Sequence, residues 1–136
     1  MVAMWKIKCY ISSSGRNEIK EWYESLDDTI KGKVYDKIYH LYTNYNSISG
    51  LNHKRVHKIE NSDGLYSVRL PCNKKEFRLV GFFREDQSRF ISELIIVYHF
   101  TEKDTKKDYK KAIEVGNSRK REVLANDTRA IEYYFT

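Results

Sequence analysis

A chain of 136 residues is about one domain long, and 40% hydrophobic with 32% charged residues, six Gly and one Pro excludes collagen-like and Pro-rich disordered classes. Lys plus Arg outnumber Asp plus Glu by 25 to 19, and the net charge of +6 favours a polyanionic partner: RNA, DNA, an acidic protein or a membrane surface. Cys9 and Cys72 lie far apart with no CxxC spacing, which writes neither a zinc cage nor a disulfide framework and reads as a reduced, cytoplasmic chain.

Trp5, Ile7, Cys9 and Ile11 alternate with Lys6, Lys8 and Tyr10, the period of a strand covered on one face. Those two lysines rule out a secretory leader, and no run approaches the roughly 20 apolar residues of a membrane span, so no membrane partner is expected. After Ser12 to Gly15, Ile19, Trp22, Tyr23 and Leu26 recur at helical spacing. Ser25 and Asp28 have the spacing of a capping box and restart a helix bearing Ile30, Val34, Ile38, Leu41, Tyr42 and Tyr45. A helical hairpin over residues 16–46 follows, then a loop from Asn44 to Asn52 that delivers Lys54, Arg55, His57 and Lys58.

Asn61 to Gly64 form a turn before three strand-like runs, Leu65 to Leu70, Glu76 to Arg84 and Phe90 to Phe100. Their polar gaps suit hairpin loops, which makes consecutive strands antiparallel, and the apolar stretch from Ile91 to Val97 belongs at the centre of the sheet. Thr105 and Asp108 open a last helix, weakened by Gly116 and carried to about Leu124. Residues 1–124 read as one α+β domain: an N-terminal strand, a helical hairpin, a three-stranded antiparallel run completing a four-stranded sheet, and a C-terminal helix. Residues 125–136 form an extension whose Ile131, Tyr133, Tyr134 and Phe135 have the composition of a docked segment.

No glycine-rich phosphate loop, HExxH or GxSxG motif occurs, and His40, His53, His57 and His99 lack ligand spacing, so no metal or other cofactor is expected. Basic residues recur instead on strands and flanking loops: Lys54, Arg55, Lys58, Arg69, Arg78, Arg84, Lys103 and Lys106. Arg69 and Arg78 on adjacent antiparallel strands can face one groove, where their forked guanidinium groups would hold a phosphodiester. Equally, they can be solvated or paired with carboxylates such as Glu76 and Glu93, and spacing alone leaves both arrangements open.

The run Gly64-Leu65-Tyr66-Ser67-Val68-Arg69, then Phe77-Arg78-Leu79-Val80, then an apolar strand ending in Phe100 and a basic segment with Lys103, Lys106 and Lys107, resembles the RelE/HigB superfamily. More narrowly it looks like the phage-derived HigB-like branch, and Val56-His57-Lys58 with Glu21, Trp22 and Leu26 extends the resemblance over roughly residues 5–115. The resemblance implies a RelE-like fold and the toxin of a type II toxin–antitoxin module, a metal-independent endoribonuclease cleaving messenger RNA on the ribosome. It implies Arg69 and Arg78 at the scissile phosphate, Lys103 as a third positive charge, and Tyr109 either as a catalytic tyrosine or as a core residue of the last helix. His57 and Lys58 would transfer protons or bind RNA beside Lys54, Arg55 and Lys106, while His99 is either an acid/base or a packed residue. The implied partners are messenger RNA, the ribosome and a cognate antitoxin of helix-turn-helix type. Ser67, Glu102 and Asp104 depart from the family pattern at positions where basic residues are usual. The alternative is a non-catalytic module of the same fold that binds nucleic acid or an acidic protein.

Overall fold

The computed structural model describes residues 5–136. Strand β1 (Lys6–Tyr10) keeps the alternation of its sequence and is followed by the helical hairpin α1 (Glu18–Ser25) and α2 (Asp28–Asn44). The second helix begins two residues later than a Ser25 cap requires. Asp27 is its N-cap, its carboxylate accepting from the Ile30 N–H, while the Ser25 hydroxyl donates back to the Trp22 carbonyl.

Next come β2 (Val56–Lys58), β3 (Tyr66–Cys72), β4 (Lys75–Glu85) and β5 (Ile91–Thr101), then α3 (Thr105–Ala125) and a final short strand, β6 (Ala130–Glu132). The sheet has six strands in the order β2-β3-β4-β5-β1-β6, with β1 parallel to β5 and every other pair antiparallel. The α+β class and the central β5 agree with the sequence reading; the four-stranded sheet does not. Two three-residue strands, too short for a period of two to register, extend it at opposite edges. One is made within the basic segment that follows the Asn44 to Asn52 loop, to which the sequence pattern assigns no element. The other lies inside the extension, which is anchored further by the buried Phe135 and by the Tyr23 hydroxyl donating to the Thr136 carbonyl at 2.9 Å.

The sheet separates two apolar layers. Tyr23, Val34, Ile38 and Leu41 of the hairpin pack on Val68, Leu70, Leu79, Leu94 and Ile96, while Ala112 and Val123 of α3 pack with Leu65, Val80, Phe82, Ile95 and Val97. A β-bulge decides which face receives the end of β5: Val80 pairs with Tyr98 but Gly81 pairs with Ile96, so Val97 is the extra residue. A one-residue slip sends each later side chain to the opposite face. Tyr98 and Phe100 therefore join the α3 layer, and His99 goes to the hairpin side. Among the described residues no helix is long and apolar enough to cross a membrane.

Candidate active site

The polar part of the α3 face lies where β2, β3 and β4 run past the first turns of α3. His57 is opposite Ser67, and Arg69 is opposite Arg78. The Arg69 N–H donates to the Arg55 carbonyl at 2.8 Å, so the backbone of Arg69 points toward the β2 side. Toward β4 it is thus a non-hydrogen-bonded pair, the kind that brings opposite Cα atoms to about 4.5 Å and side chains closest. Two like charges about 5 Å apart repel by roughly 3 kcal/mol at an effective dielectric near 20, so two adjacent guanidiniums need counter-charge.

Two carboxylates supply it. Arg69 donates to Glu76 at 2.9 Å, and Arg78, with its side chain only 10% exposed, donates through Nε and Nη2 to one oxygen of Glu102 at 3.1 and 2.6 Å. The other Glu102 oxygen accepts from the Thr105 hydroxyl at 2.7 Å, and the Arg78 guanidinium is the main reason this carboxyl stands below its ordinary range. The paired arrangement left open by the sequence is thus present, with Glu102 in place of Glu93, which instead binds Lys8 and Arg84. Three buried atoms here have no hydrogen-bond partner: Arg69 Nε, Arg78 Nη1 and Glu76 Oε2. The two unmatched N–H groups are spare donors beside the ion pairs, and buried donors are rarely left unmet.

Tyr109 comes down from α3 onto the same face. Its hydroxyl is 2.9 Å from the Ser67 hydroxyl and 3.5 Å from His57 Nε2, and its ring meets Phe100 edge-on at 5.3 Å. Of the two readings of Tyr109 the packed one describes its ring, which joins the α3 layer, while its hydroxyl reaches the polar cluster. Burial first, then the charges of Arg78 and Arg69, hold His57 below its ordinary value, so the ring is neutral at pH 7 and one nitrogen is free to accept a proton. An open groove beside it is lined by His57, Lys58, Glu60, Tyr109 and Ile113.

Lys103 is exposed between β5 and α3, its N–H donating to the Asp108 carboxylate at 2.8 Å. Asp104 caps α3 in the place where Thr105 was expected to begin it, accepting from the Lys107 N–H while its own N–H donates to Asp108. Lys54, Arg55 and Lys106 are exposed at the margins of the cluster. His99 lies outside it, on the other face of the sheet, stacked on Trp22 at 5.3 Å, where burial chiefly lowers its proton affinity. Sequence reasoning missed the roles of Ser67 and Glu102, treated there as departures from a basic pattern. Glu102 becomes legible only with the β4–β5 register: Arg78 pairs with Phe100, and Glu102 is two residues further along the same face.

No curated protein and no solved structure matches the chain. A family model does, that of the phage-derived Gp49-like proteins (DUF891), over residues 21–121, a span holding both arginines, His57, Ser67, Glu102 and Tyr109. The chain belongs to the phage-derived Gp49-like family.

Proposed function

We propose that this protein is a toxin-type endoribonuclease that cleaves messenger RNA, in association with the ribosome, by attack of a ribose 2′-hydroxyl on the neighbouring phosphorus. The observation that carries the reading is the cross-strand pair Arg69 and Arg78 on the same sheet face as a neutral histidine and a tyrosine hydroxyl. Family membership and the resemblance to RelE/HigB toxins agree with it.

In this reaction the two arginines bind the non-bridging oxygens and stabilise the charge that grows on them. His57 takes the proton from the 2′-hydroxyl as the new P–O bond forms. The P–O5′ bond breaks, the leaving oxygen takes a proton from Tyr109, and the products are a 2′,3′-cyclic phosphate and a 5′-hydroxyl. Lys103 and Lys106 add positive charge where the strand leaves the site.

Induced expression in bacteria tests this, comparing wild type with Arg69→Ala/Arg78→Ala and with His57→Asn. Growth arrest and new 5′-hydroxyl messenger RNA ends in the wild type alone support the proposal. Normal growth and intact RNA with soluble, folded wild-type protein refute it. The ion pairs of both arginines favour a second reading, a module that binds RNA or an acidic protein without cutting. That reading is selected if the wild type binds RNA tightly in purified form and generates no ends.

A further inference from the structure

A second cationic concavity lies around the edge of the sheet from the arginine pair. It is a cleft of about 130 Å³ between α2 and β3, with Lys37, His40 and Asp36 on the helix side and Arg55 and Arg69 on the sheet side. Roughly 10–15 Å³ of such space holds one water, so a phosphate group with its waters fits. Lys37 and Arg55 make no ion pair among the described residues, unlike Arg69 and Arg78. The single carboxylate on the lining, Asp36, is exposed and pairs with neither. Leu41, Tyr45 and Val68 make the floor, and an apolar floor strengthens the pull of the charges above it.

The local fold keeps this cleft open. Arg69 directs its N–H toward the β2 side, so Pro71, two residues on, faces the same way, past the point where β2 pairs with β3. Proline has no N–H to offer an added strand, and the edge of β3 stays unextended there. Arg55, Arg69 and Arg78 consequently form one row across three adjacent strand positions, about 10 Å from end to end. The side chains of Arg69 and Arg78 face the α3 side with His57, while the cleft, floored by Leu41 and Val68, opens on the hairpin side, so Arg55 at the sheet margin is the cation between the two.

We infer that the cleft formed by Lys37, His40 and Arg55 is a second phosphate site, which binds a phosphate flanking the scissile one in a single-stranded RNA. The inference rests on the proposed RNA reading and names the path of the strand: over the arginine pair, across the edge of β3, and onto α2.

The test uses two uncleavable 2′-O-methyl RNA oligonucleotides, one with a single phosphodiester and one with three, titrated against the full chain by fluorescence anisotropy at several salt concentrations. Lys37→Gln/Arg55→Gln is expected to weaken the longer RNA by roughly fivefold and to lower its salt slope by about 0.7, the loss of one phosphate contact on a single strand. The shorter RNA should bind both proteins alike. Asp36→Asn, which removes the only negative charge from the cleft, should tighten the longer RNA. An unchanged slope for Lys37→Gln/Arg55→Gln, with RNA binding still lost in Arg69→Gln/Arg78→Gln, overturns the second site and leaves the proposed function standing. Wild type that binds neither RNA overturns both. An unchanged RNA slope with weakened binding of poly-glutamate assigns the cleft to an acidic polypeptide and overturns the inference.

Discussion

Replacing Gly116 by alanine in α3 sets two opposing effects against each other. In an ordinary helix interior the change stabilises by about 1 kcal/mol, because alanine gives up less backbone entropy. Here the new Cβ would lie 2.7 Å from Leu65 Cδ1, with Val80 Cγ1 and Val97 Cγ2 at 3.6 Å closing the other sides. Carbon atoms pack best at about 3.5–4.0 Å, so Leu65 or the helix has to yield by roughly 1 Å. Leu65 is fully buried just before β3, so its methyl can move only within the core. Overpacking of this kind costs about 1–3 kcal/mol, and the balance is a net loss of roughly 1 kcal/mol, or about 4 °C in Tm. Thermal and urea unfolding read it directly. In a Leu65→Ala background the clash is gone and Gly116→Ala should become stabilising, which a double-mutant cycle reports as a coupling of about 2 kcal/mol. A rise in Tm for Gly116→Ala in the wild-type background refutes the reasoning, because α3 would then not be held at contact distance from the sheet.

Glu102→Gln leaves the mostly buried Arg78 without a full counter-charge and should cost about 2–3 kcal/mol in urea unfolding, while Arg78→Met/Glu102→Gln costs less than the sum of its parts. His57 and His99 both hold their protons less tightly folded than unfolded, so their contribution to stability is full above about pH 6.5 and falls as the pH drops below it. Urea midpoints between pH 7.5 and 5.5 should decline, and His57→Asn/His99→Asn should flatten that decline. By NMR titration, Arg78→Gln should raise the His57 midpoint, though not fully to its ordinary value, because burial is the larger cause of its lowering. Phe135→Ala should cost about 3 kcal/mol by circular dichroism melts, since the ring is buried against Tyr23 and Tyr133; a loss below 0.5 kcal/mol would show that the C-terminal segment is not docked.

The elements readable from the sequence were those long enough to repeat a period: the hairpin helices, the three antiparallel strands and α3 each contain several turns or alternations. Strands β2 and β6, with three residues apiece, contain no repeat, and tertiary pairing alone makes them strands. The packed reading of His99 describes its place, for a related reason. Simple alternation from Ile95 and Val97 would put it on the α3 face, and only the bulge at Val97 diverts it to Trp22. Arg69 and Arg78 were legible as neighbours because a short hairpin loop determines their register. Their carboxylates were not, because Glu102 reaches Arg78 through a strand pairing that no local pattern encodes. The acidic residues at 102 and 104, which looked like dilution of a basic segment, are a counter-ion and a helix cap.

The position of β1 has a kinetic consequence. It lies between β5 and β6, pairing Lys6 with Glu93 and Lys8 with Glu132, so the earliest strand in the chain is the last to be enclosed. The strands of the arginine cluster meet through short hairpins and can assemble among themselves, but β1 must close loops spanning most of the sequence, an entropy debt that slows the search. During synthesis, the edge of the sheet that carries the arginine pair can therefore form while the opposite edge is still waiting for residues that have not yet left the ribosome.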